Sequence, residues 1–219
     1  MTTARDRARA ETTAAIVTAA REQLVAVGAA ALSLRAVARE VGMVSSAVYR
    51  YFPSRDDLLT TLILAAYDAL GEAAERARRP PDPPREQWRA VWRAVRAWGL
   101  AHPAEWALVY GSPVPGYAAP SATIAAAARV GRVLVGIVVD DATELPAPAP
   151  APGIVDPEAL AVLGLDAGHG VAVVGAWTQL VGTVSFELFG QYEGVLADPV
   201  AYLDHVADAA ADAVGLPGR

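Results

Sequence analysis

The sequence has no cysteine, no lysine and only three histidines, and no basic residue stands between Val133 and Gly218. Without cysteine the chain forms neither disulfides nor thiolate metal sites. His102, His169 and His205 lie far apart, which argues against a zinc site built on histidine. The motifs of common catalytic machinery are missing as well. No Gly-rich phosphate loop, nucleophile elbow, HExxH or carboxylate pair with histidine is present. The expectation is therefore a protein that is not an enzyme and needs no metal or cofactor. Asp140-Asp141, beside a proline-rich stretch, reads as a solvated helix end rather than a catalytic pair. Met1–Ala10 is charged and lacks an apolar core, so no secretory signal is expected and the chain is read as cytoplasmic.

What the sequence does hold is enough apolar residues for a core: 54% of its 219 residues are hydrophobic and 19% charged. The 18 basic residues are all arginine, which in a chain this rich in alanine and proline is read as a composition bias without functional weight. Their distribution is more informative. Residues 1–55 hold eight arginines (5, 7, 9, 21, 35, 39, 50 and 55) against four carboxylates, a net +4 within a chain of net −6. A basic head on an acidic body suits a protein whose head alone meets a polyanion. Residues 167–186 form an uncharged window of bilayer length, but they include His169, Thr178, Gln179, Thr183 and Ser185 and have no arginine flank. This window reads as a buried helix, and no membrane partner is expected.

Three proline-rich breaks, Pro80–Pro84, Ser112–Pro120 and Pro146–Pro152, separate segments whose apolar spacing is helical throughout. The predicted helices run from about Arg7 to Val27, Leu34 to Val41, Ser45 to Phe52 and Ser54 to Arg78. They continue at roughly 85–101, 103–111, 120–139, 156–190 (broken near Gly164–Gly170) and 199–214. Gly28 is expected to close the first, Ser33 to cap the second, and Ser54 with Asp57 to cap the fourth.

The informative stretch is Ser33–Leu59, SLRAVAREVGMVSSAVYRYFPSRDDLL. Two short helices meet at Gly42, where a left-handed residue permits a sharp turn. Helices this short are not stable alone; Ile16, Leu24 and Leu58 are expected to complete a small core beneath Leu34, Val37, Val41, Val48 and Phe52. On the exposed side, Ser45, Ser46 and Ala47 are small enough to bring a helix N-terminus close to DNA phosphate. The two serines are alternatively helix caps. Tyr49, Arg50 and Tyr51 have longer reach, Arg35 stands on the same face, and Arg55 is placed to clamp a DNA backbone. Both tyrosines are alternatively core aromatics, as Phe52 is expected to be.

This run resembles the DNA-binding signature of the TetR family of repressors, with Tyr49, Tyr51, Phe52, Arg55, Leu58 and Leu59 at the matching positions. Arg55 stands where lysine is usual, and Arg50 where an aromatic or histidine is common. The resemblance covers about residues 10–60. It implies an all-α protein with a three-helix helix-turn-helix domain over residues 1–57 and a larger ligand-binding and dimerisation domain over 58–219. It also implies double-stranded operator DNA as partner, a homodimer, repression, and release by a small-molecule effector.

The second half carries a dense aromatic and proline pattern, WGLAHPAEWALVYGSPVPGY over Trp98–Tyr117, similar to a TetR subgroup with such an effector domain. Trp98, His102, Trp106, Tyr110, Pro115, Tyr117 and Trp177 are the candidate lining of a pocket for an apolar or aromatic effector. Ordinary core packing is the alternative for the rings, and a helix end for His102. His205 is expected on a solvated surface. Residues 171–190 are apolar over most of the helix circumference, which requires burial on most sides. Val173, Val174, Leu180, Val181, Val184 and Leu188 are the candidate dimer interface, with Gly175 and Gly182 permitting close approach. The alternatives are a small helical enzyme and an interaction adaptor without DNA binding; Arg35, Arg50 and Arg55 speak against the adaptor.

Overall fold

The computed structural model describes residues 3–140 and 152–216, and these contain α-helices and two short 3-10 turns but no strand. The helices are α1 (Ala4–Val27), α2 (Leu34–Glu40), α3 (Ser45–Val48), α4 (Arg55–Ala77), α5 (Pro84–Ala101) and α6 (Pro103–Tyr110). They continue as α7 (Ile124–Ala127), α8 (Arg129–Asp140), α9 (Pro157–Leu163), α10 (Ala167–Leu188) and α11 (Pro199–Ala213). Asp141 and the stretch 146–151 lie outside the described residues.

Local chemistry explains most boundaries. α1 begins three residues before the expected Arg7, because Thr3 and Asp6 form a reciprocal capping box with bonds of 3.0 and 3.1 Å. Ser54 and Asp57 do the same for α4, at 2.9 and 3.1 Å. α2 ends in a Schellman motif: Met43 N–H donates to Ala38 O at 2.8 Å, Gly42 N–H to Arg39 O at 3.2 Å, and Gly42 takes φ +69°. Ser33 occupies the N-cap position of α2 without a side-chain capping bond, contrary to expectation. Its own N–H instead donates to Gln23 Oε1 at 3.3 Å.

The chain divides into two compact units. The first comprises the residues up to Tyr67 together with Ala104–Ile124; the second comprises Asp68–Pro103 and the described residues from Ala125 onward. The first unit takes in the start of α4 and the segment through Ile124 for a packing reason. Leu108, Val114 and Tyr117 pack against the head core of Ile16, Val37, Val48, Phe52, Leu58 and Leu59. Tyr117 shares a 2.9 Å hydrogen bond with Thr60, and Tyr67 donates to Val109 O at 3.2 Å.

In the second unit α10 packs against α5, α8 and α11, burying Val173, Ala176, Leu180 and Val184. By length and composition alone α10 would pass for a membrane crossing. Within one protomer it is covered on one side. Val174, Trp177, Phe186 and Phe189 are 36–52% exposed along its outer face.

Candidate nucleic-acid interface

α3 is only one turn long before its hydrogen bonds tighten. Arg50 N–H donates to Ala47 O at 3.2 Å and Tyr51 N–H to Val48 O at 2.9 Å, both spanning three residues. Val48 and Phe52 anchor this segment from below. The N-cap is Val44, and no side chain caps the helix, so neither Ser45 nor Ser46 acts as a cap. Ser46 is exposed, while Ser45 and Ala47 are half-buried. Val44, which the sequence reading passed over, is 71% exposed at the entry to the helix. Tyr49 is 45% exposed, and Arg35 and Arg50 are exposed beside it.

Two candidates behave differently. Tyr51 is half-buried against the head core, and the Arg9 guanidinium lies 5.0 Å from its ring centre. Arg55 turns inward. It donates from Nε to Leu32 O at 3.1 Å and from Nη2 to Ala29 O at 2.8 Å and Ala30 O at 3.0 Å. Those carbonyls belong to the 3-10 turn Ala29–Ala31 and to Leu32 just after it; Ala29 O also accepts from Leu32 N–H at 3.3 Å, so the guanidinium adds to that bond. The guanidinium expected on the DNA backbone therefore ties α4 to the turn between α1 and α2.

The arginines of the two units differ in their partners. Arg5, Arg7, Arg9, Arg21, Arg35, Arg39 and Arg50 form no ion pair among the described residues. In the second unit Arg89 holds Asp208 in two bonds of 2.5 and 2.7 Å, and Arg93 holds Asp204 at 2.8 and 2.6 Å. Arg85 pairs with Asp212, Arg96 with Glu187, and Arg78 with Asp140 at the end of α8. Arg129 spans Asp68 and Glu75 at 2.8 and 2.7 Å. The guanidinium of Arg89 holds the Asp208 carboxyl below the usual carboxylate range, and that of Arg93 does the same for Asp204. This ladder has a sequence signal, arginine at 85, 89 and 93 facing aspartate at 204, 208 and 212, each at four-residue spacing.

The seven candidate pocket residues fall in both units. Trp106, Tyr110, Pro115 and Tyr117 belong to the first, Trp98, His102 and Trp177 to the second. Trp106 is fully buried and 4.7 Å from the Tyr110 ring. Trp98 is buried and stacks on His102 at 4.9 Å. Trp177 is 36% exposed on the outer face of α10. The second unit has an open cleft of about 450 Å³ between α10 and α11, with Thr183, Phe186, Tyr192, Tyr202 and His205 in its lining and none of the seven candidates. Of the six interface candidates, Val173, Leu180 and Val184 are buried in the unit's own core. Val174 is exposed, and Val181 and Leu188 are half-buried. The apolar count around the helix did not separate its two faces.

Comparison with known proteins agrees with this geometry. The profile of bacterial regulatory proteins of the tetR family matches residues 16–62, and that of the tetracyclin repressor-like C-terminal domain matches residues 88–210. The chain is 43% identical over 211 residues to the HTH-type transcriptional regulators Rv1816 of Mycobacterium tuberculosis and Mb1846 of Mycobacterium bovis, covering 90% of this chain and 89% of each relative. The crystal structure of the regulatory protein SCO4313 is similar with a TM-score of 0.77 at 30% identity, over 95% of this chain and 98% of that one. A Rhodococcus sp. RHA1 protein of unknown function follows at TM-score 0.66 and 26% identity, over 92% of both chains. With a helix-turn-helix head and profile matches over both halves, the chain belongs to the TetR family of transcriptional regulators.

Proposed function

We propose that this regulator is a repressor, bound as a homodimer to a palindromic operator and released when a small apolar or aromatic effector enters its C-terminal helical domain. The observation that carries the DNA-binding part is the contrast in arginine pairing. Exposed guanidinium groups without carboxylate partners offer charge-assisted bonds to phosphate at little desolvation cost. Tyr49, Arg50 and Ser46 supply the face of α3 for base edges, and Arg35 a flanking cation.

The stripe of exposed Val174, Phe186 and Phe189 with half-buried Val181 supports dimerisation, since a second copy would remove it from water. Two such heads one helical turn of DNA apart require a roughly palindromic site. For the effector, Trp92 Nε1 and His169 Nε2 support a polar anchor: both are buried side-chain atoms without a hydrogen-bond partner among the described residues. A ligand offering an acceptor to the Trp92 indole would relieve one of these. Effector binding then shifts the population away from the operator-competent state.

The test is selection of duplexes from a random-sequence library by the purified chain, followed by a salt titration and an effector screen on the winner. A palindrome bound with a steep salt dependence, and released by a compound that does so less well on Trp92→Phe, is the expected result. No enrichment of any duplex would remove the operator reading. Enrichment with no compound-induced release would remove the effector reading alone.

A further inference from the structure

The first two turns of α1 are exposed and Thr12 and Thr13 only half-buried; Ile16 is its first buried residue, yet the helix begins at Ala4 behind a complete capping box. A helical extension that gains no core contact is poorly sustained by its own propensity. Arg5, Arg9, Thr12 and Ile16 follow the spacing i, i+4, i+7 and i+11, so they share one face. Ile16 fixes that face as the one turned toward the head core, and Arg9 continues it onto the end of the recognition segment. Its Nη2 donates to Arg50 O at 3.4 Å and its guanidinium lies on the Tyr51 ring. Asp6 is engaged in the cap, and Glu11 lies off this face. Neither Arg5 nor Arg9 has a carboxylate partner among the described residues. Arg55, meanwhile, is held on three carbonyls of its own head.

We infer that the Arg5–Arg9 ridge of α1 is a second DNA-backbone contact of this head, continuous with α3, and that it supplies the phosphate clamp that Arg55 does not. The inference rests on the operator-binding reading. The occupant is duplex phosphate, by charge complementarity and by direct contact of Arg9 with the Arg50–Tyr51 segment. The ridge adds affinity independent of sequence, since phosphates carry no base identity.

The experiment compares Arg9→Gln, Arg5→Gln, Arg9→Lys and Arg55→Gln with the unaltered chain on two probes, the library-selected duplex and a mixed-sequence duplex of the same length. Each is titrated with salt, and the melting temperature of each variant is recorded. Arg9→Gln and Arg5→Gln should each lower the slope of log K against log salt by about one per bound protomer on both duplexes, with unaltered melting. Arg9→Lys should restore the slope, and Arg55→Gln should lower the melting temperature while keeping it. The inference is overturned if Arg9→Gln keeps the full slope, or if Arg55→Gln loses it while still folded. Failure of the unaltered chain to bind either duplex would instead defeat the operator reading, before any variant is made.

Discussion

Arg55 and Arg50 are five residues apart and face opposite tasks, and substitution separates them. Removing the Arg55 side chain takes the guanidinium donors from the carbonyls of Ala29, Ala30 and Leu32, of which Ala29 keeps the Leu32 N–H. Arg55→Ala should cost about 1–3 kcal/mol of stability, read by urea unfolding. Tyr49→Ala and Arg50→Ala remove exposed side chains, so unfolding should not change while operator binding weakens by about 1–3 kcal/mol in a gel-shift titration. Sequence spacing was enough to find Tyr49, Arg50 and Phe52, because Gly42 and Pro53 bracket the helix on which they sit. It could not find the inward turn of Arg55. That depends on three carbonyls brought near by a 3-10 turn more than twenty residues earlier, and a guanidinium goes wherever such acceptors are presented.

At the scale of elements, α5 and α11 are joined by paired charges above a buried layer that includes the Trp88 indole, which donates to Ala207 O at 3.0 Å. Asp204 and Asp208 titrate below their ordinary value because of Arg93 and Arg89. A carboxylate depressed in the folded state adds stability that is present above its unfolded pKa, about 3.9 for aspartate, and is lost as pH falls through the depressed folded value. The melting temperature should therefore drop below about pH 4, and Asp204→Asn with Asp208→Asn should flatten that drop while lowering stability at neutral pH. Gly71 of α4 marks another close contact: a Cβ there would stand 2.7 Å from Arg129 Cβ. Gly71→Ala gains helix propensity of up to about 1 kcal/mol. The clash with α8 should outweigh this, for a net loss of about 1–3 kcal/mol by thermal unfolding. Helix positions were legible from proline, glycine and apolar spacing, down to the break before α10. Which helices meet was legible only in the four-residue spacing of the arginine–aspartate ladder; the Gly71 contact joins residues far apart in sequence and leaves no such mark.

For the whole molecule the decisive feature is the outer face of α10. Hydrophobic periodicity identified the helix but assigned Val173, Leu180 and Val184 to a partner, when these fill the unit's own core and Phe186 and Phe189 face outward. Val181→Asp or Phe186→Asp should convert the proposed dimer to monomer, measured by light scattering on a sizing column, and reduce operator binding by loss of bivalency. The same stripe bears on how long the regulator lasts in a cell. If the proposed dimer forms, a protomer without its partner would display large apolar side chains of the kind that quality-control machinery recognises, and its survival would depend on meeting a second copy. Stability gained through assembly varies with concentration by mass action. Degradation should thus accelerate as the protein becomes scarce: in a pulse-chase, half-life should lengthen with expression level and become short and level-independent in Val181→Asp. Such a regulator would clear its last copies faster than its first.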